Sequence, residues 1–115
     1  MNDDTLASWS SRGVTRDGYA KPNFSAPGAH MVPRPDTYRP MWTKPDGTID
    51  TDQYLSFYAQ YLDKATIGAV AGFVLEPIQG WGGSVIPPDD FFPKLRKFCD
   101  DRKILLMADE VLTSW

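Results

Sequence analysis

Apolar residues recur along this chain in two rhythms, and each rhythm predicts an element. Between Asp50 and Ala65, the residues Tyr54, Phe57, Tyr58, Tyr61 and Leu62 fall at i, i+3, i+4, i+7 and i+8, one face of a helix. Asp50, Thr51 or Asp52 can cap its first turn. So aromatic a face predicts core packing against a sheet rather than ligand binding. Ile67 to Leu75 is apolar without alternation, the pattern of a buried parallel strand. Gly68 and Gly72 within it predict close approach of a neighbour, and Pro77 after Glu76 ends it. Asp89 to Arg102 is a second helix: Asp89 or Asp90 as N-cap, Pro93 in the first turn, Phe91, Leu95 and Phe98 inward, and Lys94, Arg96 and Lys97 outward. Ile104 to Ala108 then reads as a strand buried on both faces, running into Asp109 and Glu110.

Strand, loop, helix, strand over residues 67–109 is a βαβ unit with a parallel pair and a right-handed crossover. The helix at 50–65 is the crossover from an earlier strand. The fold class is α/β. Such a unit brings Glu76 and Asp109 to the carboxyl edge of the sheet, where open α/β sheets bind ligands.

The N-terminal part is patterned differently. Thr5 to Ser11 has the spacing of a helix end, with Gly13 as its stop. Residues 13–48 hold much of the chain's proline and glycine and little apolar periodicity, with a short strand expected at Ala29 to Val32. A domain rarely gives about a third of its length to connection, so this stretch is expected to lie over a body outside the chain. The aromatic and cationic run Tyr38 to Trp42 suits either a pocket wall or loop packing over a core. The expected divisions are a loop-rich region at 1–48, a crossover helix at 49–66 and the βαβ unit at 67–115.

Composition narrows the function classes. The 115 residues are 42% hydrophobic and 23% charged, a globular balance. A net charge of −3, with 12 basic and 15 acidic residues, argues against nucleic acid as a partner. No run of 18 apolar residues predicts a membrane span, and the acidic start is not that of a signal peptide. A single cysteine, Cys99, allows no internal disulfide and suits a cytoplasmic setting. It falls on the apolar helix face, as an inert core thiol. His30, the one histidine, has no second ligand at metal spacing, and no metal is expected. Ile78 to Gly83 is glycine-rich but lacks the phosphate-binding spacings, and Val85 to Pro88 separates it from the next helix. Ser84 is in no nucleophile elbow. The loop is expected to shape a wall at the strand's carboxyl end.

Two segments resemble a known family. Phe73 to Gly80, followed by Gly82, Gly83, Pro87 and Pro88, resembles the glutamate–proline loop of the class III aminotransferases, and Leu105 to Thr113 resembles their Asp-Glu-Val strand end. Thr5 to Arg39 is similar more loosely. The resemblance implies a central, incomplete fragment of the large domain of a fold type I enzyme that uses pyridoxal 5'-phosphate (PLP). It implies that Asp109 pairs with the protonated pyridine nitrogen and that Val111, two residues on along an extended chain, packs on one ring face. It puts Glu76 and Trp81 at the edge of the substrate pocket, Glu76 chiefly as a structural hydrogen-bonding group, and gives Glu110 a structural polar contact.

Three positions depart from the family pattern. Trp81 stands where several members have a glutamate that pairs with a gating arginine, which puts a dicarboxylate donor in doubt. Leu112 stands where many have glutamine, and Ser114 where glycine is usual. The resemblance implies a homodimer acting on an amine or amino acid and a keto acid or aldehyde. It also implies a Schiff-base lysine beyond residue 115 and a phosphate-binding loop before residue 1, so that this piece alone is expected to be inactive. A racemase, aminomutase or decarboxylase on the same fold is the alternative enzyme, and a sticky, non-catalytic interaction fragment the alternative of another class.

Overall fold

The computed structural model describes residues 30–114. The helix end expected at Thr5 to Ser11 lies outside them. The order is α1 (Thr51–Ala65), β1 (Gly72–Leu75), α2 (Phe91–Asp101) and β2 (Leu105–Ala108). The strands pair in parallel, Gly72 with Leu105, Phe73 with Leu106, Val74 with Met107 and Leu75 with Ala108.

Helix α1 starts where the Asp50 carboxylate accepts the Gln53 amide at 3.0 Å. It stops at Thr66, whose amide and hydroxyl both donate to the Leu62 carbonyl. Its buried residues are Thr51, Tyr54, Tyr58 and Leu62. They meet Phe91, Leu95 and Cys99 of α2 and Ile104 in one apolar cluster, with Phe73, Leu75 and Leu106 packed against it. Burial pushes the Cys99 thiol above its ordinary value, as an inert core position requires. Both ends of the helix pair carry polar ties. At one end the Thr51 hydroxyl donates to Asp90 at 2.7 Å, and Lys94 reaches Asp52 and Asp90. At the other, Arg102 pairs with Asp63 at 2.8 Å. Asp90 is therefore the N-cap residue of α2 without a capping hydrogen bond, because its carboxylate is turned to Thr51 and Lys94.

Three expectations are corrected. The first strand begins at Gly72, not Ile67. Thr66 Oγ1 accepts the Gly68 amide at 3.1 Å, and Gly68 takes φ +85°, so the chain turns there and leaves Ile67 in solvent. Gly68 is thus a turn glycine. Only Gly72 marks close approach, since a Cβ there would lie 2.5 Å from Met107 Cε. Second, the strands are covered on one face, not two. Phe73, Leu75 and Leu106 face the helices, while Val74, Leu105 and Met107 are exposed on a two-stranded sheet. Third, residues 30–32 of the strand expected at Ala29 to Val32 are not strand.

For the described part of the loop-rich region, the body beneath is α1 itself. The Tyr58 hydroxyl donates to the Pro33 carbonyl at 2.6 Å, and the Met41 amide donates to Tyr54 Oη at 2.8 Å. Trp42 packs edge-on to Tyr54 with ring centres 4.8 Å apart. His30 meets the Tyr61 ring edge-on.

Two outcomes follow from this core. Leu95 is fully buried, so Leu95→Ala should destabilise by about 2–5 kcal/mol in urea unfolding. Asp90 is held below the ordinary carboxylate value, first by the Thr51 hydroxyl and, against desolvation, also by Lys94. A depressed folded pKa gives stability that is present above the unfolded value of about 3.9 and lost as pH falls through the folded one. The urea midpoint should therefore drop on acidification below about pH 4, and Thr51→Ala should make that drop shallower.

Candidate functional site

The parallel ladder runs one rung past the strands: the Asp109 amide donates to the Leu75 carbonyl at 2.8 Å. Glu76 follows Leu75 directly, so the two carboxylate residues leave the carboxyl edge side by side, as the βαβ pattern predicts. Both are half-buried.

After Asp109 the chain turns instead of continuing extended. Asp109 Oδ1 accepts the Val111 amide at 3.3 Å, and the Glu110 carbonyl accepts the amides of Thr113 and Ser114. The expectation that Val111 follows Asp109 along an extended chain is therefore corrected: the aspartate's own side chain folds the backbone back. Val111 remains at the edge, with 66% of its surface exposed.

Beyond Glu76 the chain forms a small hairpin. Gln79 and Val85 exchange backbone hydrogen bonds of 3.0 and 3.2 Å. The amides of Gly83 and Ser84 both return to the Gly80 carbonyl, with φ of +96° and +56° at the two residues. Trp81 stands at the tip between Gly80 and Gly82, three-quarters exposed. Glu76 Oε2 accepts the Gly80 amide at 2.8 Å and so ties the hairpin to the strand end.

The structure thus brings Glu76, Asp109, Val111 and the Trp81 hairpin to one edge. Two contacts joining them were invisible to sequence reasoning. Leu112 lies against Gly80, where an added Cβ would be 2.6 Å from Leu112 Cδ1. Arg34 lies against Gly82 in the same way. Neither contact leaves a periodic signal; the one clue is a glycine on each side of Trp81. A cleft of 120 Å³ lined by Leu62, Asp63, Thr66 and Arg102 opens by Val70 and Ile104, at the opposite end of the strands. It is well below the volume of an ordinary ligand pocket. Among the described residues no group of three His, Cys, Asp or Glu could hold a metal, and no helix is long and apolar enough to cross a membrane.

Comparison with known proteins gives the family and the fold. Residues 5–115 match the family model described as aminotransferase class-III. A putrescine–pyruvate aminotransferase of Pseudomonas aeruginosa is 37% identical over 78 residues, 64% of this chain and 17% of that protein. A leucine/methionine racemase of Thermococcus litoralis is 34% identical over 82 residues, 71% of this chain and 18% of that protein. An amine transaminase from an uncultivated Pseudomonas species, solved in its PLP-bound form, superposes with a TM-score of 0.65 at 32% identity, over 80% of this chain and 21% of that one. The chain spans about a fifth or less of the length of each, at 17%, 18% and 21%.

The tie between Glu76 and Gly80 has a local readout. Glu76→Ala should raise the hydrogen-exchange rate of the Gly80 amide about fivefold or more, the loss of about 1 kcal/mol or more. Helix α2 should exchange as before.

Proposed function

This chain belongs to the class-III aminotransferase family, and from that premise we propose that the whole protein moves an amino group between an amine or amino acid and a keto acid or aldehyde, using PLP. The observation that carries the reading is the match over residues 5–115, including the segment that puts Asp109 beside the Glu76 loop.

The donor set at the edge suits the cofactor. A carboxylate favours the protonated form of a pyridine nitrogen, and Asp109 offers one on a backbone fixed by the Leu75 rung. Val111 offers an exposed apolar side chain for a ring face. When bound, PLP supplies an electron sink for the carbanion left as the substrate loses its α-proton. Asp109 holds the proton on the ring nitrogen, and its hydrogen bond from the Val111 amide keeps the carboxylate oriented. Val111 shields a ring face from water. Trp81 walls the donor side of the pocket, which favours amines of apolar or extended shape over dicarboxylates. Glu76 holds the wall through Gly80.

The Schiff-base lysine, which serves as general base, belongs to a part of the protein outside residues 1–115. Lys94 is paired with Asp52 of α1 and with Asp90, and Lys97 with Asp101. The whole protein is a cytoplasmic homodimer, and residues 1–48, 49–66 and 67–115 are the loop-rich, crossover and βαβ parts of its large domain. Amino-acid racemisation is the second reading, favoured by the 34% identity to the leucine/methionine racemase.

The test takes the whole protein with PLP, a panel of amines and amino acids, and pyruvate. Transfer with release of alanine is expected. Exchange of the α-hydrogen with solvent deuterium without transfer would select racemisation, and neither activity would sink both readings. Asp109→Asn should lower kcat by about a hundredfold or more, the scale of losing one preorganised charge.

A further inference from the structure

Trp81 sits at a hairpin tip three-quarters exposed, where a side chain would ordinarily swing freely. The backbone that carries it is held on both sides, at Gly80 and at Gly82. Gly80 is seated on Leu112 and tied to Glu76. Gly82 is seated on the Arg34 guanidinium: a Cβ there would overlap Nη1 and lie 3.0 Å from Cζ and 3.4 Å from the Gln79 carbonyl. Arg34 is itself held. Its Nη2 pairs with Asp36 at 2.7 Å, and the other Asp36 oxygen accepts the amides of Tyr38 and Arg39 at 2.9 and 3.0 Å. Although desolvation opposes its charge, hydrogen bonds from Arg39, Arg34 and Tyr38 keep the Asp36 carboxyl below its ordinary value. The Thr37 hydroxyl then donates to the Ile86 carbonyl, so the same segment also touches the far side of the hairpin. Arg34 Nη1 is buried with no acceptor among the described residues. The guanidinium is therefore kept against Gly82 by its pair with Asp36 and by packing, not by a bond of its own to the hairpin.

We propose that Arg34 is a positioning residue for Trp81: locked by Asp36 and seated on Gly82, it fixes the hairpin tip and with it the wall met by the amino donor. The second half rests on the function proposed above; the first does not. Arg34 touches neither substrate nor cofactor and acts only through the Gly82 backbone.

The experiment uses the whole protein labelled with 5-fluorotryptophan, the Trp81 fluorine resonance being assigned with Trp81→Phe. Arg34→Ala and Gly82→Ala are compared. Gly82→Ala invades the same seat from the other side, and Gly82 has no positive φ to strain, so it serves if Arg34→Ala fails to fold. The Trp81 resonance is expected to shift or broaden in both variants. Donor KM should rise about five- to tenfold with kcat within about twofold, the mark of lost uniform binding. Adding Arg34→Ala to Trp81→Ala should raise KM no further, because the residue it acts through is gone. A Trp81 resonance unchanged in both variants would overturn the proposal, and so would KM effects of Arg34→Ala and Trp81→Ala that multiply. A shifted resonance with donor KM indifferent to Trp81→Ala would uphold the clamp and remove the substrate role of Trp81.

Discussion

The hydrogen bond from the Asp109 amide to the Leu75 carbonyl is the constraint on which the arrangement of the edge depends. Taken singly it is worth about 1 kcal/mol. Its consequence is positional. With Leu75 opposite Ala108, the residue after each strand is an acid, and the rung sets the two beside one another. A slip of one residue in β2 would turn Asp109 to the other face and expose Leu106 in place of Met107. The register is enforced from behind, where Phe73, Leu75 and Leu106 pack on the helix cluster while Val74, Leu105 and Met107 do not.

That support is layered. Tyr54, Tyr58 and Leu62 of α1 meet Phe91, Leu95 and Cys99 of α2, and the polar ties at Thr51–Asp90 and Asp63–Arg102 sit at opposite ends of the pair. Surface ion pairs contribute little energy, so the interlocked apolar faces carry the stability and the polar ends set the alignment. The sheet rests on this platform by one face, and the hairpin and the turn at 110–114 hang from its edge. Order passes outward from dry contacts to directed hydrogen bonds.

Helix α1 was legible because its aromatics repeat with the period of the element they form. The edge was legible because an apolar run followed by an acid marks a strand end wherever the run begins. Where the run begins was not: Ile67 to Ala71 has strand composition, but the Thr66 hydroxyl and the positive φ of Gly68 turn the chain first. Val111 failed as an extended residue for a similar reason, a single side-chain oxygen capturing a backbone amide two residues on. The contacts of Leu112 and Arg34 were illegible for another reason. Each is defined by a distant glycine with room for it, and no local period records a contact across about 30 or 50 residues.

The hairpin shows how those contacts change what a residue type means. Read alone, Trp81 is a large exposed aromatic on a glycine-rich loop, which suggests mobility. Its neighbours hold the backbone beneath it, because each glycine is the seat of another side chain and the Glu76 carboxylate ties down the Gly80 amide. On the function proposed above, an indole at this sheet edge discriminates by shape, whereas the glutamate that the resemblance implies here in several family members discriminates by charge. Shape selection is the weaker device, about 1–3 kcal/mol per methylene gained or lost, and it works only if the wall does not yield. On that proposed function, tryptophan in place of an ion-pairing acid makes the seating of the backbone on either side of it part of the selectivity.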